Sequence, residues 1–255
     1  MKYSPKFFHD TMPEWKRKKD PLVARVFHRP ISFLFSSFFC EIGLTPNQVS
    51  FISLVIAFAV CGCFLTGNKV WYLIGAILMN IWSITDSADG NMARSVGGKP
   101  YGDFIDATSS YAMVGFIFPV LGWAIYRDGG LWVPAGAAWI ILVGAYTSSC
   151  DTMVRLFFQK MKNNTSEIQM KKISDGELTA QEVLEEANAP KSTFMKLFTR
   201  VDSELSMGGW NLVAILLCVI FDCLDLYVLF YALYYPAIFI ASTIYLIEKT
   251  GCLKK

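Results

Sequence analysis

The apolar residues of this chain are gathered into long blocks, not spread at helix or strand period, and most blocks approach the roughly 20 residues that span a bilayer. Of 255 residues, 54% are hydrophobic and only 17% are charged. Six blocks can be drawn, at residues 49–66, 70–85, 103–126, 131–158, 210–221 (extended at its start by Met207-Gly-Gly) and 226–247. The connectors Gly67-Asn68-Lys69, Asp128-Gly129-Gly130 and Asp222-Cys-Leu-Asp225 are short, so neighbouring helices run antiparallel. The expectation is an all-α integral membrane protein with six transmembrane helices. Residues 1–45 precede this domain, residues 46–255 form it, and residues 160–206 are a long polar loop inside it.

Lysine and arginine set the expected orientation. They crowd into the N-terminal segment (Lys16, Arg17, Lys18, Lys19, Arg25, Arg29), the second-to-third connector (Arg94, Lys99) and the C-terminus (Lys254, Lys255). The 160–206 loop adds Lys160, Lys162, Lys171, Lys172, Lys191, Lys196 and Arg200, whereas the opposite connectors hold little beyond Lys69 and Arg127. Both termini are therefore expected on the cytoplasmic side of a multi-pass protein surrounded by membrane lipids. Pro21 to Cys40 mixes Phe, Leu and Val with Arg25, His28 and Arg29 and is interrupted by Pro30. It reads as an interfacial amphipathic helix with His28 on the polar face. Thr45-Pro46-Asn47 then opens the first span, with proline at a helix N-terminus.

In the long loop, Thr179-Ala-Gln-Glu182 is a capping box that predicts a short helix from Val183 onward, and Asp175-Gly176-Glu177 reads as a turn. The cysteines lie mostly in apolar blocks without a CxxC pair and read as free, buried thiols. Met1 to Asp20 carries no short apolar signal region. Trp82, Tyr111, Trp123, Trp132 and Trp139 read as lipid-facing or interfacial packing. The net charge of +2 gives no ground to expect a nucleic-acid partner.

Against this background stands Asp86-Ser-Ala-Asp89-Gly90-Asn-Met-Ala93-Arg94, followed by Gly102-Asp-Phe-Ile-Asp106. Charges in such a setting are costly and rarely decorative. Asp86 and Asp89 share one helix face, with Ala93 a turn further on, and Gly102, Asp106 and Ser110 recur at four-residue steps on the next helix. Any one of these acids alone would read as a helix cap at a water boundary. Three acids, two glycines and an arginine at one bilayer face read as a site. The oxygen ligands suit Mg²⁺ or Mn²⁺, which keep positions open for substrate phosphates. Gly90 and Gly102 let a diphosphate approach the backbone, and Arg94 can hold phosphate oxygens in a two-pronged fashion. The chemistry indicated is phosphoryl-type transfer, which depends on positioning and charge neutralisation.

This motif resembles that of the CDP-alcohol phosphotransferases, DxxDGxxAR, a spacer, then GxxxDxxxD. Asp86, Asp89, Gly90, Ala93, Arg94, Gly102 and Asp106 match it residue by residue. The layout of an interfacial N-terminal helix, a TPN start and six spans is similar to that family as well. The resemblance implies that Asp86, Asp89 and Asp106 bind the metal and that Gly90, Ala93, Arg94 and Gly102 join them in holding the CDP moiety. It further implies a CDP-activated donor, a lipid, small-alcohol or sugar acceptor, release of CMP, a cytoplasmic active site and a homodimer. The departure is Ser110, where the family has an aspartate that takes the acceptor proton. Three readings follow: an inert or engineered member that still binds CDP compounds, substitution by Asp151, or an acceptor already ionised. Asp151 has a plainer reading as the ion-pair partner of Arg155, the one interior cation placed to meet an acidic acceptor group.

Overall fold

The computed structural model describes residues 3–177, 179, 182 and 193–251, and for 193–198 the backbone alone. Two short helices, α1 (Pro5–Thr11) and α2 (Glu14–Lys19), lead into a π-helical turn (Ala24–His28) and α3 (Arg29–Glu41). Pro30 does not interrupt this stretch as expected. It follows directly on the wide turn, which closes through the Arg29 N–H to the Ala24 carbonyl, so the helix continues past a residue that has no N–H to donate. Nor does His28 lie on a polar outer face: it is fully buried, and its Nε2 hydrogen-bonds Asn80 Oδ1 at 3.2 Å. α3 buries Ser32 and Ser36 and leaves Leu34 and Phe38 exposed, the reverse of a helix dissolved in water.

Local caps set the starts of two of the longer helices, the first at the expected Thr45-Pro46. Thr45 and Gln48 form a reciprocal capping box at α4 (Pro46–Leu65), and the Asn68 side chain accepts from the Val70 N–H at α5 (Lys69–Ser95). Then come α6 (Gly102–Asp128), α7 (Trp139–Ser174), α8 (Thr193–Leu205), α9 (Asn211–Ile220) and α10 (Leu224–Thr250). Among the described residues α4, α6 and α10 are long and apolar enough to cross a membrane.

Three boundaries differ from the sequence expectation. Residues 131–138 are a loop and not the start of the fourth helix, because Pro134 and Gly136 (φ +86°) break it and Asp225 Oδ2 claims the Trp132 and Val133 N–H groups at 2.6 and 3.0 Å. α7 runs on to Ser174 through the first part of the supposed loop, since residues 160–174 contain neither glycine nor proline and are rich in helix-forming lysine and methionine. The fifth block yields only the ten residues of α9, about 15 Å of helix at 1.5 Å per residue, half of a roughly 30 Å hydrocarbon core. The Thr179–Glu182 capping box is formed, with the Thr179 N–H on Glu182 Oε2 at 2.7 Å and the Glu182 N–H on Thr179 Oγ1 at 3.3 Å. The helix expected beyond it, with Lys191, the Lys196 side chain, Lys254 and Lys255, lies outside the described residues.

α4 packs on α5 and α6, α6 on α7, α7 on α10, and α3 and α9 on α5. The α6–α7 contact is backbone against backbone. A Cβ added at Gly144 would lie 2.3 Å from the Phe118 carbonyl oxygen, and one at Gly122 would lie 2.7 Å from that of Ile140. A second core of Phe8, Phe33, Val49, Ala88 and Met92 fastens the N-terminal helices to the end of α5. Trp82 is not lipid-facing or interfacial as expected: it is 4% exposed and donates to Ser109 Oγ at 3.1 Å, so it is interior, while Trp123, Trp132 and Trp139 are exposed. Cys61, Cys63 and Cys150 are buried and free; Cys40, Cys218 and Cys223 are free and half-buried.

Candidate active site

Asp86, Asp89, Gly90, Ala93 and Arg94 occupy the last turns of α5, and Gly102, Asp106 and Ser110 the first turns of α6. Tyr101, at φ +61°, turns the connector into α6, and Asn47 Nδ2 donates to the Pro100 carbonyl at 3.0 Å, tying that connector to the start of α4. The result brings one oxygen each of Asp86, Asp89 and Asp106 within 4.8 Å of one another. Exposure is graded across the trio: Asp89 is buried, Asp86 half-buried and Asp106 exposed. The cluster therefore opens toward the Asp106 side.

Ser50, on α4, donates to Asp89 Oδ2 at 2.5 Å and fixes the deepest carboxylate. In the sequence it is marked only as a polar residue one turn past Pro46 in an apolar block. Three hard carboxylate oxygens this close repel one another unless a cation or protons intervene, so the donor set fits a divalent ion. Asp86, Asp89 and Asp106 would hold it, and bound there it would supply positive charge for phosphate oxygens.

The glycines make room for protein atoms on this side of the site. A Cβ at Gly90 would lie 3.1 Å from an Arg94 guanidinium nitrogen, so the arginine lies back over α5 at that point. A Cβ at Gly102 would stand 3.4 Å from Asn47 Oδ1, a buried oxygen without a hydrogen-bond partner. Arg94 is exposed and is held by Asn91 Oδ1 at 3.1 Å rather than by a carboxylate. Ser110 is half-buried, its Oγ 3.5 Å from Asp86 Oδ1, so it borders the acidic trio. Its hydroxyl is a weak proton acceptor compared with a carboxylate. Asp151 stands apart from the trio. It lies on α7, 4% exposed, and its Oδ1 accepts from Arg155 Nε at 3.0 Å.

A second polar group was not anticipated from sequence. Asp20 receives Arg29 through Nε at 2.6 Å and a second guanidinium nitrogen at 3.3 Å, with Lys16 Nζ at 3.2 Å. Burial alone would raise the Asp20 carboxyl, but Arg29 and Lys16 outweigh it and hold it below the ordinary aspartate value.

The fold thus defines an all-helical protein of membrane type, with a carboxylate trio at the junction of two of its helices. The family model of CDP-alcohol phosphatidyltransferase matches residues 43–183, more than half the chain, a span that contains the whole motif. The chain belongs to that family. A phosphatidylinositol phosphate synthase of Streptomyces avermitilis is 29% identical over 108 residues, which cover 42% of this chain. The match spans 43% of that relative's length.

Proposed function

We propose that this chain is a metal-dependent membrane transferase that moves a phospho-alcohol, phosphatidyl or phospho-sugar group from a CDP-linked donor to an acceptor. The observation that carries the reading is the acidic trio beside Arg94 within the family-matched region. Asp86, Asp89 and Asp106 hold Mg²⁺ or Mn²⁺, and with Gly90, Ala93, Arg94 and Gly102 they contact the CDP moiety. The acceptor oxygen bonds to the phosphorus that bears the donor's alcohol as a hydroxyl acceptor's proton passes to solvent, the bond from that phosphorus to the bridging oxygen breaks, and CMP leaves with that oxygen. The lysine-rich connectors support a cytoplasmic site, and the outward Leu34 and Phe38 support an interfacial α3; the reading adds a homodimer as the working unit and six helical blocks in the membrane, of which the fifth, α9, is too short to cross it alone.

Ser110 favours a second reading, a family member that binds CDP compounds with impaired turnover. The loss of a general base costs about 10²–10⁴ in rate, and the donor contacts do not depend on it. Arg155, whose side chain is 31% exposed, is the interior cation available to an acidic acceptor group. The phosphatidylinositol phosphate synthase relative is consistent with a phosphorylated product. Purified protein given Mg²⁺ and a panel of CDP-alcohols with lipid and alcohol acceptors should release CMP, and Asp86→Ala should abolish release. CDP binding without CMP release would select the second reading, and neither binding nor release would refute both.

A further inference from the structure

Arg94 is the one motif cation, yet it is exposed and on a flexible stem, and immobilising such a side chain costs roughly 2 kcal/mol of rotamer freedom. What orients it is Asn91, which is 3% exposed. Asn91 Oδ1 accepts from Arg94 and from Arg29, each at 3.1 Å. Its Nδ2 donates to Ser32 Oγ at 3.0 Å and Ser36 Oγ at 3.4 Å, both on α3. The amide is thereby fixed in one sense: turned over, it would point its own donors at two guanidinium groups.

Arg29 is largely committed inside this network. Asp20 takes two of its nitrogens, and the third meets Asn91 and the Ser87 carbonyl, at 3.4 Å. It has little left for a phosphate. Arg94 donates one hydrogen bond to Asn91 and, among the described residues, keeps the rest of its fork free. The N-terminal helices are held over this spot by the Phe8–Phe33–Met92 core and by a 2.7 Å contact between Thr11 Oγ1 and Ser95 Oγ.

We infer that Arg29, acting through Asn91, is a positioning residue for Arg94, so that the N-terminal segment is a working wall of the donor site and not only a membrane anchor. This rests on the proposed reading in which Arg94 grips the donor diphosphate. Arg29 contributes no ligand atom; it holds the Asn91 oxygen where the Arg94 fork must start.

The test is calorimetric binding of CDP with Mg²⁺ to the full chain in detergent, with the melting temperature of each variant taken without nucleotide. Arg94→Gln should weaken CDP about 10- to 100-fold, the scale of one hydrogen bond to a charged group, and Arg29→Gln and Asn91→Ala about 5- to 10-fold, since they loosen Arg94 without removing it. Asn91→Asp keeps an acceptor for both arginines and should stay within about threefold of the parent. The double variant Arg29→Gln/Arg94→Gln should bind no worse than Arg94→Gln alone, because Arg29 acts only through Arg94. Additive losses would overturn the inference, as would unchanged binding in Arg29→Gln beside a weakened Arg94→Gln. If Arg29→Gln does not fold, the Asn91→Ala and Asn91→Asp pair decides, and equal losses in both would overturn it. Unchanged binding in Arg94→Gln would show that the donor reading itself had failed, and the relay with it.

Discussion

Replacing Ser110 with aspartate separates a missing base from a dispensable one. The Ser110 Oγ is 3.5 Å from Asp86 Oδ1, so a carboxylate at this position joins the acidic trio at close range. Two unit charges about 4 Å apart repel by roughly 4 kcal/mol at an effective dielectric near 20. The position is half-buried and protons can be shared, so a net loss of about 1–3 kcal/mol is expected in EDTA. A divalent ion reverses that penalty, so the rise in melting temperature on adding Mg²⁺ should be larger in Ser110→Asp than in the parent. With a neutral alcohol acceptor, CMP release should rise by about 10²–10⁴, the usual contribution of a positioned general base. CMP release followed by chromatography and paired melts with and without Mg²⁺ measure both effects. An unchanged rate together with equal Mg²⁺-induced shifts would refute the reasoning, since Ser110 would then lie outside the reacting centre.

Removing the Ser50 hydroxyl (Ser50→Ala) frees the deepest carboxylate from its 2.5 Å bond and should weaken Mg²⁺ binding about 10- to 100-fold, read by metal titration of the melting temperature. Asp151→Asn leaves Arg155 without its ion pair and should cost about 1–3 kcal/mol of stability. Its CMP release, assayed well below the melting point, should stay within about threefold of the parent, and a loss of about 10² or more would instead make Asp151 the substitute base. Gly144→Ala drives a methyl to 2.3 Å from the Phe118 carbonyl oxygen and should cost at least about 1–3 kcal/mol, seen as a lower melting temperature. Gly115→Ala, which meets open space, should be neutral or stabilising by up to about 1 kcal/mol.

The long apolar blocks and the start of α4 at Thr45-Pro46 were legible from sequence, and the structure adds caps that are equally local chemistry. Thr45 with Gln48 and Asn68 with the Val70 N–H lie within a few residues of each other, and the helices begin where those side chains say. The fourth block misled because its apolar start is held as a loop by Asp225, a residue 92 and 93 positions away from the N–H groups it binds. Trp82 and His28 misled for a related reason. Both looked like surface-layer residues by type, and their burial is decided by Ser109 and Asn80 on other elements.

Sequence by itself determined the acidic motif, the face each carboxylate occupies, and the departure at Ser110, because helical periodicity fixes which residues i, i+3 and i+4 share a side. Only the tertiary structure decided that Asp106 reaches Asp86 and Asp89, that Ser50 secures Asp89, and that Asn91 links Arg94 to Arg29. These are contacts between helices, set by how close backbones come and by which buried polar atoms need partners. A periodic pattern along one helix contains neither quantity.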